Sequence, residues 1–339
     1  MSLDNDNCGN FSASSLSRRE MMLATGLATL SIDANGQAKA LRASRSFTLW
    51  DTPTHAGGHL QDVDFSAGRF YYLRRAGTEK GDITGCKSAS GEFFWSKVLP
   101  GRQYTSLAAR SSTGSLILHR IGGGLEEYST ASGERTRTIK VWKESGFQAL
   151  VGSWLIAARP DASVEVLNIE SNFVVQAQHK LPVPAVPSAG SLSLEQVSGD
   201  EVLILNRHTA EGIKLRLRDG VHTRFQCTAP EIQAAKEKYS MHHRSAAAAT
   251  GKEVPLNPLI LPATGHDNAG RIYALVAPYR LESALILVID ASGHAVDRIW
   301  CVLPDRKLAE YGSLARIFLS GHEMYLVYSG GGVVVFQVR

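Results

Sequence analysis

The sequence predicts an all-β fold: six units of four antiparallel strands, closed into a ring by a strand near the N-terminus. Three observations predict it. First, a glycine turn followed by an apolar strand recurs, beginning at Gly68, Gly114, Gly152, Gly199, Gly270 and Gly321, with steps of 46, 38, 47, 71 and 51 residues. Near-regular spacing in this range marks a repeat architecture. Second, each glycine strand has alternating or apolar stretches on both sides, and outer turns such as Ser88-Ala89-Ser90-Gly91, Thr130-Ala131-Ser132-Gly133 and Ala291-Ser292-Gly293 recur after the third strand. Third, the last unit is one strand short, while Ser46-Phe47-Thr48-Leu49-Trp50 lies ahead of the first unit with no partner of its own.

Taken in order, the first unit reads as strands at 59–65, 69–73, 83–87 and 92–98, and the second at 104–109, 115–119, 125–129 and 135–142. The third runs 147–151, 154–158, 163–169 and 173–181. The fourth begins near Leu192, has its third strand at 213–218, and turns at Asp219-Gly220, a favoured hairpin pair. The fifth is expected at Leu259-Ile260-Leu261, 272–276, 284–290 and 295–303, and the sixth at 314–319, 324–328 and 333–338. The long step between the fourth and fifth units holds an insertion at about 228–256. Thr228-Ala229-Pro230-Glu231 reads as a capping box opening a short helix to Tyr239, with Met241 to Lys252 expected as a polar, alanine-rich loop.

A final unit completed by the N-terminal strand resembles six-bladed β-propellers of the NHL/TolB-like architecture, over roughly residues 41–339 as a single domain. In a propeller such a strand ties the ring shut and leaves only short protected edges. The stretches at 88–95 and 290–300, each a turn glycine followed by a tryptophan, also resemble the blade signature of quinoprotein-type propellers.

Composition is that of an ordinary globular chain, with 44% hydrophobic and 20% charged residues. A formal charge of +4 spread over 339 residues argues against a nucleic-acid partner, and no apolar run reaches the length of a membrane span. Residues 1–40 look like an address. Ser17-Arg18-Arg19, an apolar segment to Leu30 and Ala38-Lys39-Ala40 resemble a bacterial twin-arginine export signal. The resemblance implies a protein exported after folding to the periplasm or beyond. Cys86, Cys227 and Cys301 are widely spaced and read as buried thiols, with one disulfide left open.

Propeller geometry places the loop after each second strand on the ligand-binding face. Those positions carry Arg74, Arg75, His119, Arg120, Arg159, Arg207, His208 and Arg280, a basic set suited to an anionic ligand because guanidinium forks match carboxylate and phosphate. On the first inner strand, His59, Asp62 and Asp64 are the metal-ligand candidates, while the other inner strands look nearly bare of ligands. The residues name no cofactor. The leading expectation is a binding or scaffold module for an anionic small molecule or an envelope protein. The alternative is an enzyme, either a lactonase-like hydrolase using calcium or a quinone-dependent oxidoreductase.

Overall fold

The strands are bounded by the turns the sequence announces. In the computed structural model, residues 39–50, 58–75, 81–101, 103–110, 113–121, 124–140, 147–151, 154–158, 163–168, 174–180, 192–250, 259–277, 283–302 and 314–338 are described. Strand β1 is Lys39–Thr48. The first meander is β2 (His59–Ser66), β3 (Arg69–Arg75), β4 (Asp82–Ser88) and β5 (Phe93–Val98). The second is β6 (Tyr104–Arg110), β7 (Ser115–Arg120), β8 (Gly124–Ser129) and β9 (Arg135–Lys140). The third is β10 (Phe147–Val151), β11 (Trp154–Ala158), β12 (Ser163–Asn168) and β13 (Val174–Lys180). The fourth is β14 (Leu192–Ser198), β15 (Glu201–Asn206), β16 (Glu211–Arg216) and β17 (His222–Gln226), followed by helix α1 (Pro230–Thr250). The chain ends with β18 (Thr264–His266), β19 (Ile272–Leu275), β20 (Ser283–Ile289) and β21 (Ala295–Val302), then β22 (Leu314–Ser320), β23 (Glu323–Tyr328) and β24 (Gly332–Gln337).

Hydrogen bonding departs from six separate sheets. Four four-stranded sheets stand alone, and the remaining strands form one eight-stranded sheet in the order β18-β19-β20-β21-β1-β24-β23-β22. The cause is β1. It pairs antiparallel with β24 through Ser46–Val334 and Phe47–Val333, but starts seven residues earlier than expected and also borders β21. One ten-residue strand thus merges two meanders that the sequence pattern separates.

Two other expectations are corrected. The inner strand of the fifth unit is Thr264–His266, and Ile260 and Leu261 are instead buried in the bend before it. Apolar content marked the buried segment but could not say which part was paired. Helix α1 opens at Pro230, two residues after the expected cap Thr228, with Ala229 O accepting from Ile232 N, and it runs on through the stretch expected as loop. Alanine has the highest helix propensity, so Ala246 to Ala249 extend the helix. Glu231 closes no capping box; its carboxylate pairs with Arg298 on β21.

Successive inner strands touch in the order β2, β6, β10, β14, β18, β22, and β22 returns to β2 through Arg316–Asp62 and the Phe318–Phe65 rings. The core lies between adjacent sheets. Tyr71, Leu73, Cys86 and Trp95 of the first face Leu107, Leu116, Leu118 and Tyr128 of the second. Each such side chain contributes about 1.5–3 kcal/mol by leaving water. The outer rim repeats one device: the fourth strand of a sheet docks on the outer turn of the next. Trp95 Nε1 donates to Thr130 O at 3.0 Å, and a Cβ at Gly133, where φ is +69°, would lie 2.5 Å from the Trp95 ring. His179 covers Gly220 and Gln226 covers Gly293 in the same way, and Phe47 of β1 lies on Gly91. Cys86, Cys227 and Cys301 are buried free thiols, and burial pushes Cys301 up to about 12. Among the described residues, no helix is long and apolar enough to cross a membrane.

Candidate functional site

An inner strand pairs along one edge with its own sheet and turns the other edge to the axis, where its N–H groups lack a ladder partner. The first sheet supplies acceptors for the second. Asp82 Oδ2 accepts from Tyr104 N at 3.0 Å, Asp62 Oδ2 from Leu107 N at 3.0 Å, and Asp64 Oδ2 from Ala109 N at 2.7 Å. The other oxygens of the two β2 carboxylates accept from Val63 N and Phe65 N, and Arg316 Nη2 lies 3.5 Å from Asp62 Oδ1. Burial raises Asp62 above the usual carboxylate range, against the pull of Arg316 and the two amides. Burial likewise pushes Asp64 up to about 6, and the like charge of Asp62 adds to it.

The seam between the fourth and fifth sheets is built differently. Glu195 is 3% exposed and accepts from Thr264 Oγ1 at 2.5 Å, while its second oxygen lies 2.9 Å from His266 Nδ1. Burial pushes Glu195 up, but His266, Thr264 and Arg316 together outweigh it and hold the carboxylate below its ordinary range. The bond fixes the imidazole through Nδ1 and leaves Nε2 as its second functional atom.

These groups surround a cavity of about 300 Å³ on the axis. Asp62, Asp64 and Ser66 line it from β2, Glu195 and Gln196 from β14, Thr264 and His266 from β18, Asn268 from the following turn, and Arg316 from β22.

The expected metal candidates divide. Asp62 and Asp64 reach the cavity, but His59 is exposed at the start of β2 with its ring on Gln61. Among the described residues, no three His, Cys, Asp or Glu side chains gather so as to hold a metal ion. Among the described residues, the basic positions after the second strands are engaged by groups of the protein itself. Arg74 stacks over Trp50, Arg75 lies 3.3 Å from Asp82, and His119 is buried with Nδ1 on Thr105. Arg120 donates to Gln103 at 3.0 Å and lies 3.6 Å from Glu126. Arg207 donates to Leu261 O; burial, with the like charge of Arg316, draws it down to about 10. The backbone of His208 donates to Asn206 Oδ1. Arg159 and Arg280 lie outside the described residues, as does the export-signal segment up to residue 38.

Arg316 is one cavity residue that the sequence pattern did not single out. Its signal was a lone cation inside the apolar run Leu314 to Leu319, a charge where a solvent-facing side chain is not required. Thr264 was missed because the inner strand was placed too early.

No protein-family model and no curated protein matches this chain. Solved structures do share its fold. The WD40 repeats of RRP9 are 10% identical, with 89% of this chain and 100% of that one covered and a TM-score of 0.59. U3-55K is 10% identical over 88% and 100%, at 0.57. The β-propeller domain of Cps50 (Swd1) from Myceliophteria thermophila is 9% identical over 88% and 100%, at 0.51. The chain therefore has a β-propeller fold.

Proposed function

We propose that the chain is an exported six-bladed β-propeller, a binding or scaffold module that engages a protein or an anionic ligand through its arginine-bearing face. The six-blade count treats the eight-stranded sheet as two blades, the second completed by β1. Phe47 of β1 docking on Gly91 supports this, since Trp95 docks on Gly133 in the same manner. The observation that carries the binding reading is the engagement of the β2 carboxylates. Asp62 and Asp64 hold the amides of the neighbouring sheet, which makes them fasteners of the ring first. The propellers it resembles include WD40 structures, a likeness of fold that is compatible with a docking scaffold.

An anion approaching the face would compete with Asp82 for Arg75 and with Glu126 for Arg120, so a partner offering several carboxylates suits the site better than a single small anion. Arg75→Ala combined with Arg120→Ala should weaken capture of an acidic partner; unchanged affinity removes the arginine argument. Arg18→Lys with Arg19→Lys should retain the protein in the cytoplasm if the export reading holds.

The enzyme reading keeps one observation in its favour: an imidazole oriented by Glu195 and a carboxyl near neutrality share the axial cavity. A stoichiometric metal or a visible absorption band in protein purified without chelators would move the assignment to a hydrolase or a quinone-dependent enzyme.

A further inference from the structure

We propose that the axial cavity binds a small zwitterion, a compound carrying an ammonium and a carboxylate a few bonds apart. The site lies on the axis, shares Arg207 with the face considered above, and does not rest on that reading. Its walls carry opposite charge. Asp62 and Asp64 stand on β2, while the Arg316 guanidinium on β22, 3.5 Å from Asp62, and the His266 ring on β18 form the other side. Arg207 sits close enough behind to be repelled by Arg316 and attracted by Glu195.

Asp64 has acceptor capacity beyond its two backbone bonds. Each Asp64 oxygen accepts one backbone N–H, and a carboxylate oxygen offers two lone pairs, so both keep an acceptor position. A buried carboxylate whose partners are neutral amides is stabilised by an ammonium, which brings both donors and charge. On the other wall, Arg316 and Arg207 repel each other while Asp62 and Glu195 supply their counter-charges, and a ligand carboxylate beside Arg316 would relieve that repulsion further. A ligand with one charge satisfies one wall and is opposed by the other. An anion alone meets Asp62, Asp64 and Glu195, and a cation alone meets Arg316. Only a molecule with both charges suits both walls. At about 300 Å³ the cavity lies at the small end of ligand sites, which favours a backbone of a few carbons.

The test is thermal unfolding and calorimetric titration of the purified full chain with glycine, β-alanine, acetate and methylammonium, each alone. Either zwitterion should raise the melting temperature more than acetate or methylammonium at equal concentration. Asp64→Asn should weaken zwitterion binding about tenfold by replacing a charge-assisted contact with a neutral one. His266→Gln, at a part-exposed site, should weaken it less. Stabilisation by acetate equal to that by the zwitterions would overturn the proposal, as would unchanged affinity in Asp64→Asn or no response to any of the four at tens of millimolar. If Asp64→Asn does not fold, the contrast between the zwitterions and their two halves on the wild-type chain decides.

Discussion

The seam between the first and second sheets and the seam between the fourth and fifth use the same currency, a buried carboxylate, for different ends. Asp62, Asp64 and Asp82 each give one oxygen to a backbone amide of β6, a group that has no side-chain freedom to lose. Glu195 bonds two side chains, and one of them, His266, still presents a ring to the cavity. The first arrangement ties sheet to sheet through the backbone while Asp64 still lines the cavity. The second fastens the ring and leaves a titratable group where a ligand can reach it.

Asp62→Ala should break this contrast most severely. It strands Leu107 N in the interior and takes the carboxylate from Arg316, so a loss of about 3–5 kcal/mol is expected from the denaturant midpoint. Glu195→Ala should cost about 2 kcal/mol, since Thr264 and His266 both border the cavity and can rotate into it. Equal losses at the two seams would erase the distinction.

The pH dependence sharpens it. The folded-state value of Asp64, about 6, stands above its unfolded value of 3.8, so the native state binds the proton more tightly. Stability from this group is full below about pH 4 and is lost as pH rises through 6, by about 3 kcal/mol in order of magnitude. The groups facing it are Asp62 on its own strand, Arg316 on β22 and the Ala109 amide on β6. Glu323, held at about 2 chiefly by Arg45, acts oppositely: its contribution is present above 4.5 and lost as pH falls through 2. Asp64→Asn should therefore flatten the decline between pH 4 and 6 in thermal melts and leave the acid limb intact.

At the outer rim, Gly133→Ala should cost about 2 kcal/mol, because it adds contact with the Trp95 ring to the strain of a positive φ. Gly68→Ala has the same backbone strain but open space around it, and should cost about 1 kcal/mol. If the two variants melt together, the docking of one sheet on the next turn contributes nothing. Smallest of all, Lys97→Ala removes an exposed pair with Glu134 and should change stability by less than about 0.5 kcal/mol.

Much of the site was legible in part. Asp62 and Asp64 stood out as acids on the first inner strand, the strand that such a fold turns to its axis. Their partners were not legible, because Leu107 N and Ala109 N belong to another sheet and an amide has no residue-specific signature. The basic series of Arg75, Arg120 and Arg207 was readable as a pattern, yet each side chain found a different partner: Asp82, Glu126 with Gln103, and the carbonyl of Leu261.

By itself, the sequence determined most of the strands, their turns and the use of the N-terminal segment to complete the last meander. Those features rest on local physics: period-two burial, glycines where φ must be positive, and an unmatched strand at each end. Tertiary structure alone decided that β1 would also border β21, that the inner strand of the fifth unit would be Thr264–His266, and that Arg316 would stand among the axial acids. Each of these depends on which edges and charges meet across the ring, and meetings between residues some 70 to 250 positions apart leave no local trace.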